Sequence, residues 1–330
     1  MIRHGPNRTG AGPAGAGRRL IALVALLGLS TVVMASLSPS FLQAGTLQYI
    51  LQFAPIVGLL GLGQTLIILA GGPGIDLSSG AIMSLCGLAI AGLWNLGVDP
   101  YAASLAGLAL GLLLGSVNGA LVTIVGIPAL IATLATLFLF GGFAIAVTNG
   151  RPVAGLPESF GWLGQGTLFG LPNQLLFVFI PVAVALHVML RHTRTGSHII
   201  AVGNDHRAAR LLGIRVVRLR FALFALNGGL AALAAVTNLS WFLAARPDAG
   251  RGLELAAVTV AVLGGTRIFG GEGSVAGPVV AVLIITVLQG GLQLANISPA
   301  WQLGVVGLLL IGSVIASDLP SILSTARRSG

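Results

Sequence analysis

Apolar runs of about 20 residues, parted by short clusters of glycine, proline and charge, recur along the chain. At 1.5 Å per residue, that length lets an α-helix cross the hydrocarbon layer of a bilayer. The pattern predicts transmembrane helices near 20–37, 47–70, 80–98, 102–125, 127–148 and 174–190, then near 221–239, 253–269, 275–295 and 297–317. The run at 253–269 is short and reads as a span or a half-helix. Breaks fall at GGPGIDLS, at Asp99-Pro100, at Gly126-Ile127-Pro128 and over 149–172, each punctuated by Gly or Pro. A cleaved signal peptide would resemble 20–37, but its apolar core usually runs about 7–15 residues. The 18 residues here suit an uncleaved span.

Between the sixth and seventh runs lies the one long hydrophilic segment, Arg191 to Arg220, with seven arginines and a single acid, Asp205. A bilayer cannot hold it, so it lies on a membrane surface. Within it, Asn204 or Asp205 can cap a helix that Gly213 can end, leaving Ala208, Leu211 and Leu212 on one face and Arg207 and Arg210 on others. The chain then divides into a Gly-, Pro- and Arg-rich disordered cytoplasmic tail over 1–17, a first transmembrane half over 18–190, a cytoplasmic loop over 191–220, a second half over 221–318 and a tail over 319–330. Ten spans put both termini and the central loop on one side, with 14 arginines there and Arg151, Arg246 and Arg251 opposite. Basic loops face the cytoplasm, which orients the chain; eight spans would preserve the same parity.

Composition agrees. Of 330 residues, 55% are hydrophobic and 8% charged, against about a quarter charged in soluble domains. Mean hydropathy is +0.99. The expected fold is an all-α polytopic membrane helix bundle of about ten transmembrane helices, with no soluble domain. The net charge of +9 speaks to orientation rather than to nucleic acid. All 17 basic residues are arginine, and the absence of lysine excludes a P-loop, so any ATP that drives this protein binds another chain. The lone Cys86 allows no intrachain disulfide. His192, His198 and His206 have no carboxylate or cysteine cluster beside them, so neither a metal nor a cofactor is expected.

Asp76, in GGPGIDLSSG, is the one carboxylate lodged between apolar spans of the first half. An acid at such a position either lines a solute path or caps the following helix, with Asp76 or Ser78 accepting from N–H groups near 79–81; the two roles are compatible. Polar uncharged residues recur in the spans: Gln52, Gln64, Thr65, Asn118, Thr133, Thr136, Asn227, Asn238, Gln289 and Gln293. Such groups either bond helix to helix or recognise an uncharged polyol. The stretch GGTRIFGGEGSVAG, 264–277, lacks the Lys-Ser/Thr ending of a phosphate loop and reads as a tight turn, with Arg267 and Glu272 placed to pair or to meet a partner. The 49 glycines allow helices to approach closely in lipid.

Taken together, GQTLIILAGGPGIDLSSGAIMSL, IPALIATLATLFLFGG, GSHIIAVGNDHRAARLLGIRVVRLR and GLELAAVTVAVLGGTRIFGGEGSVAGPVVAVLIITVLQGGLQL resemble the permease subunits of bacterial ABC importers for simple sugars, of the ribose, xylose and autoinducer-2 type. The likeness runs in order over about 45–318. It implies a multi-pass inner-membrane permease that pairs with a second copy or a paralogue, receives solute from a periplasmic sugar-binding protein and is driven by cytoplasmic ABC ATPase subunits. Asp76 and Ser78 match the GIDLS signature of that family; with Gln64, Thr65, Asn118 and Asn227 they are the candidate substrate path. Gly203, Asn204, Ala208, Ala209 and Gly213 match its coupling segment, which makes them, with Arg207 and Arg210, the candidate ATPase contact. Pro73 and Ser79 depart from the pattern, Ser79 standing where a valine is usual. An ion-coupled carrier would rely on Asp76, Glu254 or Glu272, the last two expected near the surfaces. A membrane enzyme would need a companion for His187 that the sequence does not offer.

Overall fold

The computed structural model describes residues 13–72 and 74–326. In chain order its helices are α1 (Pro13–Leu37), α2 (Ala44–Leu69), α3 (Ser79–Asn95), α4 (Pro100–Ala120), α5 (Ala129–Thr148), α6 (Trp162–Gln165), α7 (Ile180–His192), α8 (Arg194–Asn204), α9 (His206–Leu211), α10 (Val216–Phe242), α11 (Leu253–Leu263), α12 (Ala276–Leu294) and α13 (Pro299–Ala326). A π-helical turn, Leu121–Val125, prolongs α4, and another, Leu175–Phe179, leads into α7. Seven helices are long and apolar enough to cross a membrane, and Ser79–Asn95, Leu253–Leu263 and Ala300–Ile315 are shorter apolar helices. Each of the ten predicted spans coincides with one of these. The half-helix reading of 253–269 holds: α11 has 11 residues, about 16 Å of rise.

The ends of the elements depart from the sequence reading. Helix α1 begins at Pro13, inside the stretch predicted as a tail, because proline at a first helical position has its φ already set; residues 1–12 lie outside the described residues. Helix α13 runs to Ala326, past the predicted start of the last tail, and 327–330 lie outside the description. The central segment is mostly helical: α8 was not foreseen, and α10 can start at Val216 because neither arginine of its first turns is buried unmet, Arg218 being exposed and Arg220 donating to the Gly72 carbonyl.

Helix α2 is the axis of the bundle, 89% of its span being buried, whereas α1, α4, α5 and α7 are 17–28% buried and form the periphery. Close packing between α4 and α10 rests on glycines spaced four apart, Gly111, Gly115 and Gly119, which place one bare stripe along α4, while Gly107, one step earlier, packs on Ile90 of α3. A methyl on Gly228 of α10 would collide with the Gly111 carbonyl and with Gly115. Without a hydrophobic drive between helices in lipid, such backbone contact is what holds them.

Two small ladders close one end. β1 (Val153–Ala154) pairs antiparallel with β4 (Ala244–Ala245), Val153 opposite Ala245; β2 (Thr167–Leu168) pairs with β3 (Leu171–Pro172) through a turn in which Phe169 and Gly170 both have positive φ. Trp94, Trp162, Trp241 and Trp301, with Tyr49 and Tyr101, all fall at helix ends on this side. The arginine-rich segments fall on the other. An aromatic belt facing a basic rim gives the orientation expected of a membrane protein.

Candidate functional site

Helix α2 ends at Leu69, and Gly71 and Gly72 turn the chain with φ of +71° and +66°, a conformation that costs glycine little. The chain then runs without helix through Gly74 to Ser78 before α3 begins. Irregular backbone inside a bundle survives only if its polar groups are met from within. Here side chains meet them. The Asp76 N–H donates to Gln64 Oε1 of α2 at 3.3 Å, the Leu77 N–H donates to Thr133 Oγ1 of α5 at 3.1 Å, and that hydroxyl lies 3.1 Å from the Ile75 carbonyl. The Gly72 carbonyl accepts from Arg220 Nη2 of α10 at 3.0 Å.

The Asp76 carboxylate is the centre of the same network. Its Oδ1 accepts from the Ser78 N–H at 2.8 Å and the Ser78 hydroxyl at 2.7 Å, and its Oδ2 accepts from Asn227 Nδ2 of α10 at 2.9 Å. Asn118 Nδ2 of α4 donates to Ser78 Oγ at 2.6 Å, and Thr136 of α5 donates to Asn118 Oδ1 at 2.7 Å. Gln64, Asp76, Ser78, Asn118 and Thr133 are all 0% exposed. The capping role expected of Asp76 or Ser78 is not the one adopted: no side chain caps α3, because the Ser78 hydroxyl is already engaged by Asp76 and Asn118. Thr65 stays apart, its hydroxyl donating to the Gly61 carbonyl in its own helix. Two network atoms, Gln64 Nε2 and Asn227 Oδ1, have no hydrogen-bond partner.

The heads of two short helices meet beside this network. Gly80, in the first turn of α3, touches Gly250, just ahead of α11, so closely that a side chain on either would strike the other's backbone. The Gly250 N–H donates to Ser84 Oγ at 2.9 Å, and the Gly252 N–H to Glu254 Oε1 at 3.1 Å. Ser79 Oγ and Glu254 Oε2 are buried without partners. Next to them is a cavity of about 500 Å³ whose walls include Ser84, Phe138, Asp248, Arg251 and Glu254. The sequence reading missed this cavity and placed Glu254 near a surface. Glu254 is partly exposed at the head of a half-helix, which a short apolar run after a Gly-rich loop can signal.

On the inner side, Asp205 caps α9, accepting from the Arg207 N–H at 2.7 Å and the Ala208 N–H at 3.1 Å, and Gly213 follows with φ +79°. These backbone bonds hold the Asp205 carboxyl below its usual range. Ala209 is buried with Val202 and Val216, while Arg207, Ala208 and Arg210 are exposed and Leu211 and Leu212 stand 89% and 78% exposed. Gly203 packs on the Leu69 carbonyl and the Gly271 N–H, the latter two joined by a 3.0 Å hydrogen bond; Asn204 packs on Gly271. Arg267 pairs with Glu272 at 3.0 Å.

Comparison with known proteins gives a consistent result. The family model described as branched-chain amino acid transport system, permease component, matches residues 46–314. The ribose import permease protein RbsC of Escherichia coli strain K12 is 37% identical over 300 residues, covering 90% of this chain and 92% of that one. A probable ABC transporter permease protein, y4mJ of Sinorhizobium fredii, is 35% identical over 94% of this chain and 92% of its own. The autoinducer 2 import system permease protein LsrD of Enterobacter sp. strain 638 is 35% identical over 90% of this chain and 92% of its own. No solved structure matches.

Proposed function

The chain belongs to this family of transport permeases, and from that premise we propose that it carries a monosaccharide or a similar small polyol through the bacterial inner membrane by alternating access. It is the permease subunit of an ABC importer, a multi-pass transport protein and not an enzyme. The solute is supplied by a periplasmic sugar-binding protein, the energy comes from cytoplasmic ABC ATPase subunits, and a second permease copy or a paralogue completes the pore.

The family description names amino acids, whereas the similar chains are named for ribose and autoinducer 2. The observation that carries the sugar reading is 37% identity to a ribose permease over nine-tenths of the chain. The site chemistry agrees with it. An amino acid brings a carboxylate and an ammonium, which call for fixed opposite charges; the groups around Asp76, namely Gln64, Ser78, Asn118, Thr133, Thr136 and Asn227, offer amides and hydroxyls, and the one cation of the network, Arg220, is engaged by the Gly72 carbonyl. Gln64 Nε2 and Asn227 Oδ1 are one donor and one acceptor left for a passing hydroxyl. Asp76 bonds both residues of that pair and Ser78 bonds Asp76, while Thr65, the chain neighbour of Gln64, keeps its hydroxyl on its own helix.

The two halves, 18–190 and 221–318, flank the inner segment 191–220. The exposed Asn204, Arg207, Ala208, Arg210 and Gly213 form the face that the ATPase grips, with the packed Gly203 and the buried Ala209 supporting it from beneath. Because a ligand shifts an equilibrium only through unequal affinity for the two states, ATP acts here by changing the contacts of that face. The test is ATP turnover by the permease reconstituted with its ATPase and binding protein. Binding protein supplied with ribose should raise turnover several-fold over protein supplied with leucine; the reverse order would overturn the sugar reading.

A further inference from the structure

At the inner rim, the start of α1, the end of α7 and the 264–277 turn enclose a cavity of about 450 Å³. Arg19 of α1 and Arg191 of α7 reach it from separate helices, together with His187. The Arg19 side chain lies over Gly265, its guanidinium 3.9 Å from where a Cβ would stand. Below the arginines the wall turns apolar with Leu20 and Leu23.

The two arginines lack a counter-charge. Among the described residues the ion pairs are Arg246–Asp248 and Arg267–Glu272, so Glu272, the one acid lining this cavity, is already neutralised. Asp205 is engaged as the cap of α9. The residues ahead of α1, 1–12, contain no acid at all. Helix α12 also begins here with no acid in its first turn, so its positive end adds to the same field.

We propose that this cavity binds one anionic phospholipid of the inner leaflet, its phosphate held between Arg19 and Arg191 and an acyl chain lying along Leu20 and Leu23. A polar mouth over an apolar wall at the membrane surface matches a lipid, which carries both, and basic pockets between transmembrane helices on the cytoplasmic side take lipid headgroups. A free phosphate compound shares the headgroup chemistry but has nothing for the leucines.

The test is lipid binding to the delipidated full-length permease by native mass spectrometry, with phosphatidylglycerol, phosphatidylcholine and the soluble headgroup glycerophosphoglycerol as probes. Phosphatidylglycerol should bind best. Two basic side chains near a membrane surface supply a factor of about 30 between them, so R19Q/R191Q should weaken phosphatidylglycerol by about that factor and leave phosphatidylcholine unchanged. The variant R18Q/R194Q, which removes the same charge from the same rim outside the cavity, should bind as the parent does. If R19Q/R191Q does not fold, R191Q alone should show about a fivefold loss. Equal loss in the control, no loss in the cavity variant, or equal binding of glycerophosphoglycerol and intact lipid would overturn the proposal.

Discussion

Gly71 lies against Gly203: a methyl built on Gly71 would stand 3.0 Å from both the Cα and the carbonyl oxygen of Gly203. Gly203 is the penultimate residue of α8, next to the proposed docking turn, and Gly71 opens the broken segment that reaches Asp76 five residues later. Two backbones in contact leave no side chain to absorb a displacement, so under the proposed mechanism a pull on the docking face would move the wall of the path.

Gly203→Ala tests that joint. The added methyl would press on the Leu69 carbonyl and the Gly271 N–H, and overfilling a packed site costs about 1–3 kcal/mol. The purified assembly should melt at a lower temperature, and uptake should fall further than ATPase binding, as measured by co-purification and by solute uptake into vesicles.

Asp76 and Asn227 should behave as a coupled pair. In Asp76→Asn an amide would face the Asn227 amide, leaving a buried donor unsatisfied at a cost of about 1–3 kcal/mol. The exchange D76N/N227D restores a donor opposite an acceptor. Thermal unfolding should show the double variant recovering more than half of the loss; additive losses would separate the two residues.

The Asp205 cap carries a pH signature. Its carboxyl is held below the usual range by the N–H groups of Ala208 and Arg207, so its contribution is complete above the unfolded value, about 3.9, and is lost as pH falls through the lower folded value. At neutral pH the contribution is constant. Asp205→Asn, which can still accept at an N-cap, should keep ATPase binding, whereas Asp205→Ala should weaken it. Co-purification of the ATPase measures both.

The glycine stripe makes a contrasting pair of forecasts. Gly228→Ala should destabilise by about 1–3 kcal/mol, because the methyl strikes the Gly111 carbonyl. Gly304→Ala, in α13 with open space around it, should stabilise by about 0.5–1 kcal/mol through helix propensity. Melting temperatures of the two purified variants check the signs.

Local pattern made much of this legible. Ten apolar runs announced the apolar helices, the Asp205-to-Gly213 spacing announced α9, and the polar residues Gln64, Asn118, Thr133, Thr136 and Asn227 stood out against apolar neighbours. What stayed hidden depends on distant contacts. That Thr133 serves the backbone of Ile75 and Leu77, or that Gly80 meets Gly250, is set by how helices cross, and no spacing along the chain encodes it. Helix α8 left a fainter trace: Thr193 as its cap, with Ile199 and Val202 three apart on its buried side, was present in the sequence within a segment dominated by arginine.

The proposed docking face can be probed without interference, because Cys86, the chain's one cysteine, is fully buried. With Leu212→Cys and a membrane-impermeant maleimide, intact cells should show no labelling, inside-out vesicles holding the permease alone should label fully, and vesicles with the ATPase assembled should be protected. Labelling from outside intact cells, or equal labelling with and without the ATPase, would contradict the assignment of this face as the inner docking surface.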